Sequence, residues 1–292
     1  MRQLDFRDHR RELDDNRYIY AVVSRRSGGL SIGVNLNPDK FCTFDCPYCQ
    51  VDRTVPGGPK AVDLGRLDAE LSHLLGLVRA GTLWSVPPFD TAAPALRRVN
   101  DIAFAGDGEP TAAPSFAAAV EAVGRLRATF GLPDVKILLL TNATLFHRPA
   151  VARGLAALDA LGGEIWAKLD AGTPSFFARV DGTAIPFGRV LTNLRDAAIA
   201  RPITLQCLFY RDAAGDPPPA ERDAWGARIA EILAAGGQIR EVQVTTIARR
   251  TAQPGLDALP ADVLDDIAAR PRALGLQVRV IPGIPAAPTP ES

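Results

Sequence analysis

Apolar residues along the chain follow two alternating spacings, which predict alternating strands and helices. Short runs rich in Val, Ile and Leu are typical of buried strands, and they cover residues 18–23, 30–36, 99–105, 135–141, 164–170, 203–210, 239–247 and 276–281. Segments with apolar residues three and four positions apart are typical of helices, and they cover residues 63–80, 114–130, 149–161, 187–200, 219–235 and 260–274. Gly28 and Gly29 predict a turn between the first two strands.

This alternation predicts an α/β fold with a parallel sheet covered by helices, as a full or partial (β/α) barrel of about six parallel βα units. An open, doubly wound sheet is the alternative that the pattern leaves open. We expect a polar N-terminal extension over residues 1–17, the barrel domain over residues 18–281 and a Pro-rich disordered tail over residues 282–292. The Pro-rich residues 85–95 predict an extended loop.

Composition narrows the class of protein. The 292 residues are 47% hydrophobic, which is enough for a buried core. The 33 basic residues balance 33 acidic ones, so a small-molecule substrate is favoured over nucleic acid. No run of about 18 apolar residues predicts a membrane span. The N-terminal residues are charged and lack the apolar core of a signal peptide, so we expect a cytoplasmic protein.

Three of the four cysteines form a compact motif. Cys42, Cys46 and Cys49 have the spacing C-x3-C-x2-C and follow the strand at 30–36, at the strand end where (β/α) barrels carry their chemistry. Three close thiolates suit a soft metal centre. Iron–sulfur clusters that only transfer electrons usually have four cysteine ligands, so three would leave one iron open to an exogenous ligand. A zinc site completed by a histidine is the alternative.

A second motif follows the next strand of the predicted barrel. It consists of Gly106, Asp107, Gly108 and Glu109. Glycines allow unusual backbone angles and close approach to a ligand. A plain strand-to-helix turn would explain the segment taken alone. Because it comes one βα unit after the cysteine motif, we expect the two motifs to share a site.

The cysteine spacing, with the aromatic Tyr48 directly before the last cysteine, resembles the signature of the radical S-adenosylmethionine (SAM) superfamily. The resemblance implies a [4Fe–4S] cluster on the three cysteines and SAM on the open iron. Reductive cleavage of SAM would then yield a 5′-deoxyadenosyl radical that abstracts hydrogen from an unidentified substrate. It also implies an electron donor such as flavodoxin or ferredoxin, and contact between the surroundings of Tyr48 and the adenine. Residues 106–109 resemble the superfamily's Gly-Gly-Glu motif with Asp107 interposed, which implies that Glu109 accepts hydrogen bonds from the ammonium of SAM.

Residues 31–53 look like a branch of single-cluster Fe–S oxidoreductases related to the radical SAM enzymes of wybutosine synthesis on tRNA. Those enzymes carry extra cysteines for a second cluster, whereas only Cys207 is left over here. Cys207 lies in an apolar strand and is expected to be a buried small residue, with a catalytic thiol as the alternative. Two further hypotheses remain for the whole chain: a radical SAM modifier of a macromolecule, either tRNA or an enzyme to be activated, and a non-enzymatic zinc-binding module.

Polar residues also occur near the predicted carboxyl ends of successive strands. Asn142 resembles the family's polar ending of a strand, with a turn or cap as the alternative. Lys168 and Asp170 should lie on the same side of their strand as Trp166. By resemblance they would contact SAM or substrate; the alternative is a buried ion pair. Gln206 is expected either to face the barrel interior or to be a polar core residue whose hydrogen bonds are satisfied.

Arginines at two places could contact a ligand. Arg249 and Arg250 could bind an anionic substrate group or the SAM carboxylate. Arg25 and Arg26 precede the first glycine turn, and surface charge is the expected role there.

Overall fold

The computed structural model describes residues 15–24, 28–249 and 251–283. Its strands are β1 (Ile19–Ser24), β2 (Gly29–Val34), β3 (Val99–Phe104), β4 (Lys136–Thr141), β5 (Glu164–Lys168), β6 (Ile203–Arg211), β7 (Ile239–Thr246), β8 (Asp257–Ala258) and β9 (Val278–Ile281). Its helices are α1 (Leu64–Ala80), α2 (Phe116–Thr129), α3 (Pro149–Ala160), α4 (Pro174–Asp181), α5 (Phe187–Ala200), α6 (Pro219–Ala234) and α7 (Ala261–Ala273). Arg25, Arg26, Arg250 and nearly all of the expected extension and tail lie outside the described residues.

The sheet confirms the predicted partial (β/α) barrel. Within the described part of the chain its strands follow the order β1-β2-β3-β4-β5-β6-β7-β9, and β1 and β9 are its two edges. β1 runs antiparallel to β2, and every later neighbour along this order is parallel. The helices between parallel strands are the crossover connections that such pairing requires. The carboxyl ends of β2 to β7 therefore meet at one rim of the sheet.

Helix α1 illustrates how local sequence sets the elements. The side chain of Asp63 accepts a hydrogen bond from the backbone N–H of Arg66 at 3.0 Å, which caps the first turn. Gly81 ends the helix with a left-handed backbone, at φ 69°. Leu67, Leu71 and Leu74 are fully buried on one face. Burial of each leucine stabilises the fold by about 1.5–3 kcal/mol.

The two faces of the sheet have different surroundings. The convex face packs under the helices, as the fully buried Ile102 and Leu139 show. The concave face carries a separate small apolar cluster of Ala103, Leu138 and Trp166, against which Leu140 packs. Since neighbours along a strand point to opposite faces, alternate residues of β3, β4 and β5 form this inner wall.

The structure differs from the sequence expectations in several elements, among them the two-residue strand β8, which no apolar run predicted. Helix α4 was not predicted, because it has only two turns and its capping residue, Thr173, follows β5 closely. Residues 85–95 form short 3-10 turns rather than an extended loop, at Leu83–Ser85, Phe89–Thr91 and Pro94–Leu96. Helix α2 begins at Phe116, two residues after the proline expected in its first turn.

Candidate metal and cofactor site

A cavity of about 340 Å³ opens on the concave face, at the rim where the parallel strands end. Its lining includes nearly all the residues expected at the site: Cys42, Cys46, Tyr48, Cys49, Gly106, Asp107, Gly108, Glu109, Asn142, Lys168, Gln206 and Arg249. Asp170 is fully buried behind Tyr48 and Lys168 and is not part of the lining. Cys207 is also buried and absent from the lining, in accord with the expectation of a small core residue. Tertiary folding therefore separates the three motif cysteines from the fourth.

The cysteine motif lies on the loop that follows β2, here called the cluster loop (residues 35–53). Each of its three sulfur atoms accepts a hydrogen bond. The backbone N–H of Phe44 lies 3.4 Å from the Sγ of Cys42, and the Nδ2 of Asn142 lies 3.8 Å from it. The Nζ of Lys168 is 3.5 Å from the Sγ of Cys46, and the Nη1 of Arg53 is 3.4 Å from that of Cys49. Such donors favour thiolates over thiols.

Burial has the opposite effect on two of these thiols. It raises the pKa of both Cys42 and Cys46, and at Cys46 the neighbouring Lys168 offsets part of this increase. Metal binding to these thiols would therefore displace protons. Within the described residues, no three His, Cys, Asp or Glu side chains are placed as ligands of one metal ion.

The cluster loop is held from two sides. Helix α4 contacts it at its carboxyl end, where the backbone N–H of Asp45 donates to the carbonyl of Asp181 at 3.0 Å. Gly182, with φ 57°, must be small there, because a Cβ would lie 2.2 Å from the carbonyl oxygen of Asp45. On the other side, Asn142 donates to the hydroxyl of Thr43 at 2.8 Å. Asn142 also accepts from the backbone N–H of Thr144 at 3.1 Å, so it is both a turn residue and a site residue.

The glycine-rich motif packs directly on the cluster loop. A Cβ on Gly108 would lie 1.9 Å from the carbonyl oxygen of Phe41, and one on Gly106 would lie 2.4 Å from the Oδ1 of Asn35. The backbone N–H of Glu109 donates to the same Phe41 carbonyl at 3.1 Å. The two glycines are therefore needed for contact between the motifs, and the expectation of a shared site has a structural basis.

Asn35 joins the motifs through its amide. Its Nδ2 donates to the carboxylate of Asp107 at 2.7 Å, and its Oδ1 accepts from the backbone N–H groups of Asn37 and Asp107 at 3.0 and 3.2 Å. This explains the residue interposed between the glycines, since Asp107 supplies both a donor and an acceptor to Asn35. Sequence reasoning assigned no role to Asn35, although it lies in the run that leads into the cysteines.

Glu109 lines the cavity and is almost fully buried. Its Oε1 accepts hydrogen bonds from the backbone N–H and hydroxyl of Thr111, at 3.1 and 2.6 Å, and from the hydroxyl of Thr141 at 2.6 Å. Its Oε2 accepts from the backbone N–H of Asn142 at 2.8 Å. Burial raises the pKa of Glu109, although these bonds oppose the increase. Oε1 thus accepts three hydrogen bonds and Oε2 only one, so Oε2 is the less occupied of the two oxygens.

Lys168 and Asp170 form the buried ion pair that was the alternative for them. The Nζ of Lys168 lies 3.2 Å from the Oδ2 of Asp170 and 4.6 Å from the centre of the Tyr48 ring. The hydroxyl of Tyr48 donates to Asp170 and accepts from Lys168. Burial opposes the charge of Lys168, but Asp170, Cys46 and Asp181 together outweigh it and raise the pKa of the ammonium. Contact of these residues with SAM stays a prediction.

Two polar residues of the lining differ in their hydrogen bonding. Gln206 on β6 is buried, and its Nε2 has no hydrogen-bond partner. A buried donor without a partner is unfavourable in the protein alone, and a ligand acceptor would relieve it. The Nε of Arg249 donates to the Oε1 of Gln50 at 3.2 Å, which joins the loop after β7 to the cluster loop.

The fold and the site define a partial (β/α) barrel protein whose three-cysteine and glycine-rich motifs line one cavity. Its particular relatives include a UPF0026 protein of Methanocaldococcus jannaschii, 27% identical over 141 residues that cover 48% of this chain and 37% of that protein. A UPF0026 protein of Helicobacter pylori is 26% identical over 168 residues, covering 56% of this chain and 46% of that protein. The matches thus span less than half the length of these two relatives.

The chain was also compared with protein-family models and with solved structures. No protein-family model matches the chain. Among solved structures, that of archaeal TYW1 superposes with a TM-score of 0.42 and 13% identity, over 75% of this chain and 73% of that chain. In the described residues no helix is long and apolar enough to cross a membrane.

Proposed function

We propose that this chain is a radical SAM enzyme that holds a [4Fe–4S] cluster through Cys42, Cys46 and Cys49 and binds SAM beside it. The observation that carries the proposal is the gathering of these three thiols, without Cys207, in one cavity beside the glycine-rich motif. The three cysteines fit such a cluster, because thiolates are its usual ligands. Each sulfur also accepts a hydrogen bond from another group of this chain, as ligands of metal centres commonly do. When bound, the cluster would supply the electron that cleaves SAM to a 5′-deoxyadenosyl radical.

The remaining residues would bind and orient SAM. The Oε2 of Glu109, which accepts a single hydrogen bond within the protein, would accept another from the ammonium of SAM, and Thr141 and Asn142 hold that carboxylate in place through hydrogen bonds. The buried amide of Gln206 is available to an acceptor of SAM or substrate. Trp166 and Leu140 would exclude water from the inner side. We propose a small molecule as substrate and an electron carrier such as flavodoxin or ferredoxin as partner.

Anaerobic reconstitution with iron and sulfide tests the assignment. The protein should bind about four irons per chain and form 5′-deoxyadenosine from SAM and a reductant. Cys46→Ala should lose both properties. Cys207→Ala is the matched control and should keep both, because that thiol lies outside the cavity. A Cys46→Ala variant with an intact cluster and full turnover would refute the proposal.

Two measurements separate this function from the other candidates. Metal analysis of protein purified without oxygen should show iron and sulfide; one equivalent of zinc and no brown colour would favour a zinc-binding module. Pull-down with tRNA over a range of salt concentrations tests for a macromolecular target, since phosphate contacts make such binding strongly salt-dependent.

A further inference from the structure

Arg53 contacts the last of the three cysteines through its guanidinium. It lies on the cluster loop, four residues after Cys49, and its side chain is 28% exposed. Its Nη1 donates to the Sγ of Cys49 at 3.4 Å, and its Nε donates to the carbonyl of Lys40 at 3.3 Å. The guanidinium is therefore held between the two ends of the cysteine motif.

The three sulfur atoms differ in the charge of their donors. Cys42 accepts from neutral groups, namely the backbone N–H of Phe44 and the amide of Asn142. Cys46 accepts from Lys168, whose charge is balanced at 3.2 Å by a carboxylate with no exposed surface. These two sulfurs therefore receive little uncompensated positive charge.

At Cys49 the positive charge of the hydrogen-bond donor is less compensated by a carboxylate. The carboxylate nearest to Arg53 is that of Asp45, at 3.7 Å, and it is 71% exposed, so solvent screens it. Of the two charged donors to these sulfurs, Arg53 and Lys168, Arg53 therefore supplies the less compensated positive charge. The guanidinium keeps its proton at any physiological pH, so this charge is permanent.

We infer that Arg53 is a positioning residue that raises the reduction potential of the cluster by holding its guanidinium against Cys49. The inference rests on the proposed function. Reduction adds a negative charge to a centre already surrounded by three thiolates, and a nearby cation stabilises the more negative, reduced form. Hydrogen bonds to the ligand sulfurs and net charge are among the factors that set potentials of iron–sulfur clusters.

The test is an anaerobic redox titration of the reconstituted protein, followed by the electron paramagnetic resonance signal of the reduced cluster. In Arg53→Gln the ratio of reduced to oxidised cluster at a fixed potential should fall on the order of tenfold, which is a shift of about 59 mV to lower potential for one electron. Arg53→Lys keeps the positive charge but lacks the planar guanidinium, so its reduction potential should shift less than that of Arg53→Gln. Arg125→Gln is the matched control, because Arg125 is 63% exposed and pairs with Asp68 on the outer surface; it should titrate as wild type.

An unchanged potential in Arg53→Gln with full iron and sulfide content would overturn the inference. So would a shift equal to that of Arg125→Gln, which would show an effect of net charge alone. If Arg53→Gln and Arg53→Lys both fail to hold a cluster that Arg125→Gln retains, Arg53 is needed for assembly and the inference is also wrong. If the wild-type protein holds no cluster, the proposed function itself fails, so the two failures are distinguishable.

Discussion

Replacing Gly108 by alanine should disturb the contact between the glycine-rich motif and the cluster loop. The new Cβ would lie 1.9 Å from the carbonyl oxygen of Phe41 and 2.7 Å from the Cβ of Asn37. The nearest atom belongs to the backbone, so no side-chain rotation relieves the clash. The cluster loop would have to move by about 1 Å or more, and Phe41 directly precedes the first cysteine.

The magnitude follows from two contributions. Overpacking a tight site costs about 1–3 kcal/mol. Loss of the bond between the Glu109 N–H and the Phe41 carbonyl, now 3.1 Å long, costs about 0.5–1.5 kcal/mol more. The free energy of unfolding should therefore fall by about 1.5–4.5 kcal/mol, which corresponds to a fall of roughly 2–7 °C in Tm for a domain of this size.

Thermal unfolding at a fixed heating rate measures the change in Tm. The metal-free protein is used because differences in cluster content would otherwise change the Tm. Gly188→Ala is the matched control, because a Cβ on this exposed residue of α5 would meet nothing within 4 Å. That variant should unfold within about 2 °C of wild type. If Gly108→Ala unfolds with the control, the two motifs are not in tight contact and the reasoning about the shared site fails.

Two further substitutions test buried polar groups. Glu70 of α1 accepts the backbone N–H groups of residues 17–19, at 2.9, 2.8 and 3.1 Å, so Glu70→Gln should cost about 2–4 kcal/mol at pH 7. Burial opposes the charge of Glu70, but these hydrogen bonds and that from Arg66 together outweigh it and lower the pKa of the carboxyl. The ionised carboxylate therefore stabilises the folded protein at any pH above the usual pKa of 4.5. This stabilisation is lost as the pH falls through the lowered pKa of the folded state. Urea unfolding at pH 7 and below pH 4 should thus show the difference between variant and wild type narrowing in acid, and a constant difference would contradict this. Gln206→Met removes a buried amide whose Nε2 has no partner, so the metal-free variant should be more stable by about 1–2 kcal/mol in urea unfolding, whereas a less stable variant would mean that the amide is satisfied within the protein.

Secondary structure and fold class followed from the sequence because their signals are local. The apolar faces of α1, α3 and α6 repeat every three to four residues, and the apolar runs of β3, β4 and β6 match strands buried on both faces. Alternation of the two implies parallel pairing and one rim for the carboxyl ends, which placed the cysteine and glycine motifs together. Helix α4 was not predicted because its two turns are too short for a clear periodic pattern of apolar residues.

The partners of each site residue could not be read from the sequence. Arg53 beside Cys49 is a local contact, but whether the side chain turns toward the sulfur depends on the path of the cluster loop. Asp181 lies 135 positions from Cys46, yet its Oδ1 is 3.7 Å from that sulfur. Such contacts depend on how separate elements pack, and no local pattern encodes them.

The sequence by itself therefore determined most of the long helices and strands, that they build a (β/α) sheet and which three thiols could share a metal centre. Only the tertiary structure decided that Lys168 is balanced by Asp170, that Glu109 is enclosed by Thr111, Thr141 and Asn142, and that the motif glycines are needed for close packing. The physical reason is that periodicity and turn chemistry act over a few residues. Burial, charge balance and hydrogen-bond satisfaction are instead set by groups that folding brings together from distant parts of the chain.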